Sequence, residues 1–274
     1  MRPFGPVTRL VGRLPLFSLI AVPCVAAAQG SPPIQDNSFL VEEAYNQEAG
    51  VVQHINTFLR AGADSWSYTF TQEWPLGGIQ HQLSYTIPIR RNEQTGVGDV
   101  LLNYRYQAVG DGGATLALAP RLTLSIPTGS VDDGRGAGGP GVQLALPINW
   151  RFAQQFTFVG NAGLIWVPQA TNAANQSVST RGVNLGASTI WAPMARVNFL
   201  LELVWARVET VDSTGSRDSY REAFINPGIR WSFNGRNGLQ VVPGVAYTVG
   251  IGPARGNNAL FLYLSIEHPF GSDS

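Results

Sequence analysis

The 274-residue sequence predicts an all-β fold, a single transmembrane antiparallel up-and-down β-barrel of twelve strands. Three observations predict it. Beyond residue 50, apolar and polar side chains alternate with a period of two, the signature of strands with one greasy face, and no stretch shows a helical period. The alternating segments run to about ten residues or more, whereas strands of soluble sandwiches are usually about 5–6 residues long; ten suits a tilted strand crossing a bilayer. Only 13% of the residues are charged, about half the usual share of a soluble domain. No apolar run after the first 28 residues reaches the ~18 residues that a membrane-spanning helix needs.

Taken in order, the chain opens with a predicted signal peptide over residues 1–28. Arg2, Arg9 and Arg13 give a positive start, Leu14 to Val25 an apolar core, and Ala26-Ala27-Ala28 a small-residue cleavage site. Cys24 raises the alternative of lipidation, but Pro23 stands where such sites want a small residue. It is also the only cysteine, so the mature chain has neither disulfides nor thiol chemistry. Residues 29–50 are polar, with Pro32-Pro33 and the run F-L-V-E-E-A-Y-N-Q-E. Phe39, Leu40, Val41 and Tyr45 make this stretch too apolar for a plain tail. It reads as a periplasmic segment or a lumen plug, with Glu42, Glu43 and Glu48 available to meet inward arginines.

Residues 51–274 form the predicted barrel. Its strands are expected at 51–60, 65–76, 79–90, 97–108, 114–127, 141–152, 155–167, 182–192, 197–210, 220–233, 238–249 and 259–270. In 79–90, Leu83, Tyr85, Ile87 and Ile89 oppose Gln82, Ser84, Thr86 and Arg90. In 114–127, Leu122, Leu124 and Ile126 oppose Arg121, Thr123 and Ser125. In 141–152, Leu144, Leu146, Ile148, Trp150 and Phe152 oppose Gln143, Asn149 and Arg151. With a periplasmic N-terminus, the outer loops are 61–64, 91–96, 128–140, 168–181, 211–219 and 250–258. The inner turns fall at 77–78, 110–113, 153–154, 193–196 and 234–237. Long and short connections thus alternate, as in outer-membrane barrels. Trp74, Trp150, Trp191 and Trp231 fall near the inner end, and Trp166 and Trp205 near the outer, as two interfacial belts require. The last strand, A-L-F-L-Y-L-S-I-E-H-P-F, is expected to close the barrel on the first, with Leu260, Leu262, Leu264 and Ile266 toward lipid, Glu267 toward the lumen and Phe270 as the terminal aromatic. Pro88, Pro120, Pro147, Pro227 and Pro243 fit this reading badly, because each removes a ladder donor inside a predicted strand.

The stretches S-F-L-V-E-E-A-Y-N-Q-E-A-G-V-V-Q-H (38–54), G-V-G-D-V-L-L-N-Y-R-Y-Q (96–107) and L-A-P-R-L-T-L-S-I-P-T-G (118–129) resemble the MetA-pathway of phenol degradation family of outer-membrane transporters. The resemblance covers most of the mature chain. It implies an outer-membrane barrel concerned with passage of aromatic or other hydrophobic compounds, and it offers no site residues to carry over.

The inward parity carries Glu73, Arg90, Asp99, Arg105, Arg121, Arg151, Glu202, Glu222, Arg230 and Glu267. One reading is a polar constriction in the substrate path that selects solutes by charge and size. The other is a narrow barrel that fills its interior with ion pairs; eight strands leave no channel, sixteen do, and twelve lies between. The expected function is therefore passive passage of small hydrophobic or aromatic solutes, with a structural or adhesive barrel of closed lumen as the alternative. The expected partners are outer-membrane lipid, lipopolysaccharide at the loop residues Arg91, Arg135, Arg181, Arg217 and Arg255, and the barrel-assembly machinery. No enzyme is expected: His54, His81 and His268 accompany no G-x-S-x-G elbow and no metal-ligand spacing. No cofactor is implied. With zero net charge, 18 basic residues all arginine and no basic run, nucleic acid is not an expected partner.

Overall fold

The computed structural model describes residues 34, 36–62, 65–91 and 94–270. The expected signal peptide, its expected cleavage site and Cys24 lie outside the described residues. The barrel strands are β1 (Val51–Arg60), β2 (Trp66–Pro75), β3 (His81–Arg91), β4 (Thr95–Val97 and Val100–Tyr106), β5 (Leu116–Leu118 and Arg121–Ile126), β6 (Gly141–Ala153), β7 (Phe156–Thr171), β8 (Ser177–Met194), β9 (Val197–Val211), β10 (Arg217–Trp231, continued by Phe233–Asn234), β11 (Gln240–Gly250) and β12 (Ala259–Pro269). Each pairs antiparallel with its sequence neighbours, and β12 pairs with β1 from Val51↔Pro269 to Arg60↔Leu260, so the twelve strands close into a barrel.

Side-chain burial follows the alternation. Leu144, Leu164, Leu201 and Leu262 are exposed on the outer surface, while Gln82, Asn149, Glu202 and Arg230 are fully buried in the interior. Stacked or tilted rings join Trp150, Phe152, Phe156, Trp191 and Phe199 along the inner rim. Amphipathic rings at that height suit the boundary between hydrocarbon and headgroups.

Two expectations are corrected. The connections expected at 168–181 and 211–219 are mostly strand: β7 and β8 leave only residues 172–176 between them, and β9 and β10 only 212–216. Above the bilayer both faces of a hairpin are wet, so polar residues pair there and no apolar alternation marks them. The contrast between long outer loops and short inner turns is correspondingly smaller, because the inner connection between β4 and β5 spans 107–115.

The five prolines now have one account. Each stands where the ladder is interrupted on one side. The carbonyls of Pro88 and Pro147 accept from Gly98 and Ala119, at the breaks in β4 and β5. Residues in a strand point N–H and C=O the same way, so the missing donors face those breaks. Pro120 is itself within the β5 break, and its carbonyl accepts from Tyr106 at the end of β4. Pro227 lies in the gap between Ile225↔Val249 and Gly228↔Ala246, and Pro243 in the gap between Arg230↔Gly244 and Phe233↔Val241. A closed barrel has no edge, so local breaks are where proline can sit.

Candidate functional site

The lower lumen holds the segment 36–47, which has no regular secondary structure. Irregular backbone at membrane depth requires a partner for every polar group. Inward side chains of the wall supply them. Glu202 accepts from the N–H groups of Leu40 and Val41 (3.1 and 3.2 Å), Asn161 from Glu42 (2.7 Å), Asn149 from Ala44 (2.7 Å), Gln107 from Asn46 (2.9 Å) and Gln82 from Gln47 (2.7 Å). The segment thus visits β9, β7, β6, the end of β4 and β3 in turn, and follows the wall around until it enters β1. Its carbonyls are met from the same wall. Arg230 donates to Asp36 and Asn37 (2.9 and 2.6 Å), Arg105 to Glu43 and Tyr45 (3.3 and 2.6 Å), Asn161 to Glu42 and Gln107 to Ala44.

Apolar packing completes the fit. Phe39 and Val41 join Ile55, Leu200, Phe261 and Tyr263 in a buried cluster, and Ala44 packs on Ala117 and Ala119. Phe39 lies so close to β10 and β11 that a Cβ on Gly228 or Gly244 would stand 2.5 or 2.6 Å from its ring. Glycine at those positions is what admits the ring. Burying it contributes about 1.5–3 kcal/mol.

Two charge clusters tie the segment down. Arg105 and Arg121 are directly opposite each other on β4 and β5, a cross-strand juxtaposition of like charges that is unfavourable alone. Glu42 bridges them: its Oε1 lies 2.8 Å from Arg105 Nη1 and its Oε2 2.7 Å from Arg121 Nη1. Glu73 lies 3.4 Å from Arg105 and accepts from Gln82 at 2.7 Å. The second cluster centres on Arg230, whose Nη2 lies 3.0 Å from Glu43 Oε1. Asn149 donates to the other oxygen of Glu43 (3.2 Å). Burial pushes the Glu43 carboxyl up to about 7, with the Arg230 charge opposing the rise. Asp36, bonded to Gln53 and Tyr263, is also raised by burial, again against Arg230.

Above the segment is a cavity of about 600 Å³, reaching from Ala61 and Asn257 at the outer rim down to Asn37–Glu42. One side presents Ile55, Leu59 and two hydrogen-bonded threonine pairs, Thr57–Thr69 (2.5 Å) and Thr71–Thr86 (2.8 Å). The other presents Arg121, Gln143, Asn184 and Glu222 from β5, β6, β8 and β10. Gln143, Asn184 and Glu222 line the cavity without a side-chain hydrogen bond among the described residues, and Arg121 Nε is buried without a partner.

The structure brings together only part of the candidate set. Glu42, Glu43, Glu73, Arg105, Arg121, Glu202 and Arg230 meet in or beside the lower lumen. Glu222 lies higher, in the cavity wall. Asp99 instead anchors the outer loop 127–140, accepting from Gly129 and Ala137 (3.0 and 2.8 Å). Arg90 is exposed at the outer end of β3 and Arg151 donates to Gly112 in an inner turn (3.3 Å), whereas Glu267, in register with Gln53, faces the lower lumen beside Gln47 and Asp36 of the plug. Glu48 is exposed below the barrel's first strand. Sequence reasoning passed over the neutral amides Asn149, Asn161, Gln82 and Gln107, which hold most of the segment's backbone. Their signal was available: each is an amide on the inward parity at or next to a strand.

A family model described as "Putative MetA-pathway of phenol degradation" matches residues 30–250. No curated protein matches the sequence. Among solved structures, the COG4313 outer membrane channel from Pseudomonas putida F1 is similar in fold, with a TM-score of 0.61 and 14% identity over 83% of this chain and 98% of that one. The NanC porin is similar with a TM-score of 0.54 and 6% identity over 80% of this chain and 100% of that one. The fold and its apolar girdle are those of a bacterial outer-membrane barrel.

Proposed function

We propose a function from one premise: the chain belongs to the MetA-pathway of phenol degradation family, whose model spans residues 30–250. It is an outer-membrane channel for passive passage of small solutes with an apolar body, aromatic compounds among them. The observation that carries this reading is the cavity above the lower lumen, with its mixed wall of threonines, amides and aliphatic side chains. Pockets of 300–1,000 Å³ suit small organic molecules. Residues 36–47 act as a plug at the inner end, so passage requires that they shift within the barrel or leave it. The lumen charges serve that plug rather than an open constriction. The proposed chemistry needs no catalytic group, and among the described residues no group of three His, Cys, Asp or Glu is placed to hold a metal.

A disulfide lock tests the reading. A Cβ at Gly186 would stand 3.1 and 3.5 Å from the two methyl carbons of Val41, close enough for a disulfide. The Val41→Cys/Gly186→Cys double variant, reconstituted in liposomes, should pass phenol when reduced and block it when oxidised. Equal flux in both states would remove the plug from the transport path. No flux from wild type or from either state of the variant would favour the structural barrel, a reading that the dense bonding of residues 36–47 supports.

A further inference from the structure

We infer that the Arg105–Arg121 pair is an exchangeable anion site, in which the carboxylate of an incoming solute takes the place of Glu42. The inference rests on the channel reading and names the solute's chemistry: a small aromatic carboxylate, bound from the cavity side.

The two guanidiniums face each other across β4 and β5, and Glu42 is the carboxylate that bridges both. Glu73 reaches only Arg105. If the plug moves, the pair loses half its compensating charge, and a second anion must enter or the two arginines repel in a confined site. The exchange of one carboxylate for another leaves the cluster's net charge unchanged. Access exists on one side only. Arg105 is covered, with 3% of its side chain exposed, whereas Arg121 is 28% exposed and lines the cavity together with Glu42.

Arg121 also has donor capacity in hand. Only its Nη1 is used, by the Glu42 carboxylate that the solute replaces, so its terminal nitrogens become available to the cavity. A planar carboxylate can therefore engage it through two parallel bonds, as guanidinium geometry favours. The apolar body of the solute then lies against Ile55 and Leu59. A hydroxyl at its far end can donate to Glu222 or to the amide oxygens of Gln143 and Asn184, which line the same cavity and have no side-chain partners. Occupying the site displaces Glu42, the plug's bridge to both arginines, so recognition of the solute and loosening of the cavity floor are one event.

The test is calorimetric titration of the full mature protein in detergent with 4-hydroxybenzoate, and with 4-hydroxybenzyl alcohol as its uncharged counterpart. Wild type should bind the carboxylate at least tenfold more tightly than the alcohol. Arg121→Gln should weaken the carboxylate at least tenfold and leave the alcohol unchanged. Glu42→Gln, which removes the competing carboxylate, should strengthen it several-fold. Heat-modifiable gel mobility establishes that each variant is folded. Equal binding of the two probes, indifference to Arg121→Gln, or no carboxylate binding by either wild type or Glu42→Gln overturns the inference. Liposome flux of uncharged phenol separates this from the channel reading: flux without Arg121-dependent binding overturns the anion site alone, and Arg121-dependent binding without flux keeps the site and overturns the channel.

Discussion

Replacing Arg105 by alanine removes the side chain that ties the plug to β4. In the native lumen this guanidinium meets Glu42, Glu73, the side chain of Asn46 and the carbonyls of Glu43 and Tyr45. Breaking a buried ion pair by deleting one partner costs roughly 3–5 kcal/mol. Here both carboxylates keep a second partner, Arg121 for Glu42 and Gln82 for Glu73. The lower end of that range therefore applies, about 3 kcal/mol, which is roughly a 100-fold shift toward the undocked plug. The loss belongs to the plug and not to the wall, because the β4 ladder runs through backbone bonds that the substitution leaves alone. Hydrogen exchange read by mass spectrometry on a peptide covering 40–47 should lose about two decades of protection. Peptides from β8 and β9 should keep theirs. Full protection of 40–47 in a folded Arg105→Ala barrel would refute the view that wall arginines hold the segment, and would leave its amide and apolar contacts as sufficient.

Other outcomes follow from the same geometry. Leu262→Arg, on the lipid face near mid-strand, should cost roughly 2–4 kcal/mol in urea unfolding from vesicles; a change near zero would mean that this position does not face the hydrocarbon. Asp99→Ala strips the outer loop of the acceptor for Gly129 and Ala137, so protease should cut within 127–140 faster while barrel stability stays put. The pH dependence has a definite sign. Burial raises the carboxyls of Glu43 and Asp36 above their unfolded values, so the plug prefers them protonated. That contribution is fully present below the ordinary carboxylate range and is lost as pH rises through about 7, the value for Glu43. Protection of 40–47 should be weaker at pH 8.5 than at pH 5.5, and Glu43→Gln should flatten much of the difference; stronger protection at the higher pH would show that the Arg230 charge dominates burial.

Much of the barrel is legible in the amino-acid sequence, because lipid imposes a one-sided rule. Where hydrocarbon meets the wall, as at Leu122, Leu124, Leu144 and Leu262, alternation is strict and strand bounds fall within a few residues. Above the bilayer the rule lapses, which is why the polar hairpin tips around 172–176 and 212–216 read as long loops. The interior obeys a different logic. A charged side chain on the inward parity announces that it is inside, but not what it faces, so Asp99 and Arg230 look alike in sequence and serve an outer loop and an inner plug. The path of residues 36–47 is illegible for a physical reason: it is set by which amide on a distant strand accepts which N–H, and pairings such as Ala44 with Asn149 depend on closure of the whole ring.

The side chains that accept the plug's backbone N–H groups carry a consequence for time. When the plug leaves, water fills the vacated lumen and satisfies Glu202, Asn161, Asn149, Gln107 and Gln82 one by one, so each bond forfeited is worth a net of only about 0.5–1.5 kcal/mol. Midway, however, the bonds are broken and water has not yet entered, and neighbouring residues of one chain cannot let go independently. The docked state thus lies lower, and a steep ridge separates it from the undocked one. A current record from a single molecule should accordingly look like a telegraph signal, with long silences and long conducting dwells separated by abrupt steps, and not like the rapid flicker of a loop brushing across a pore.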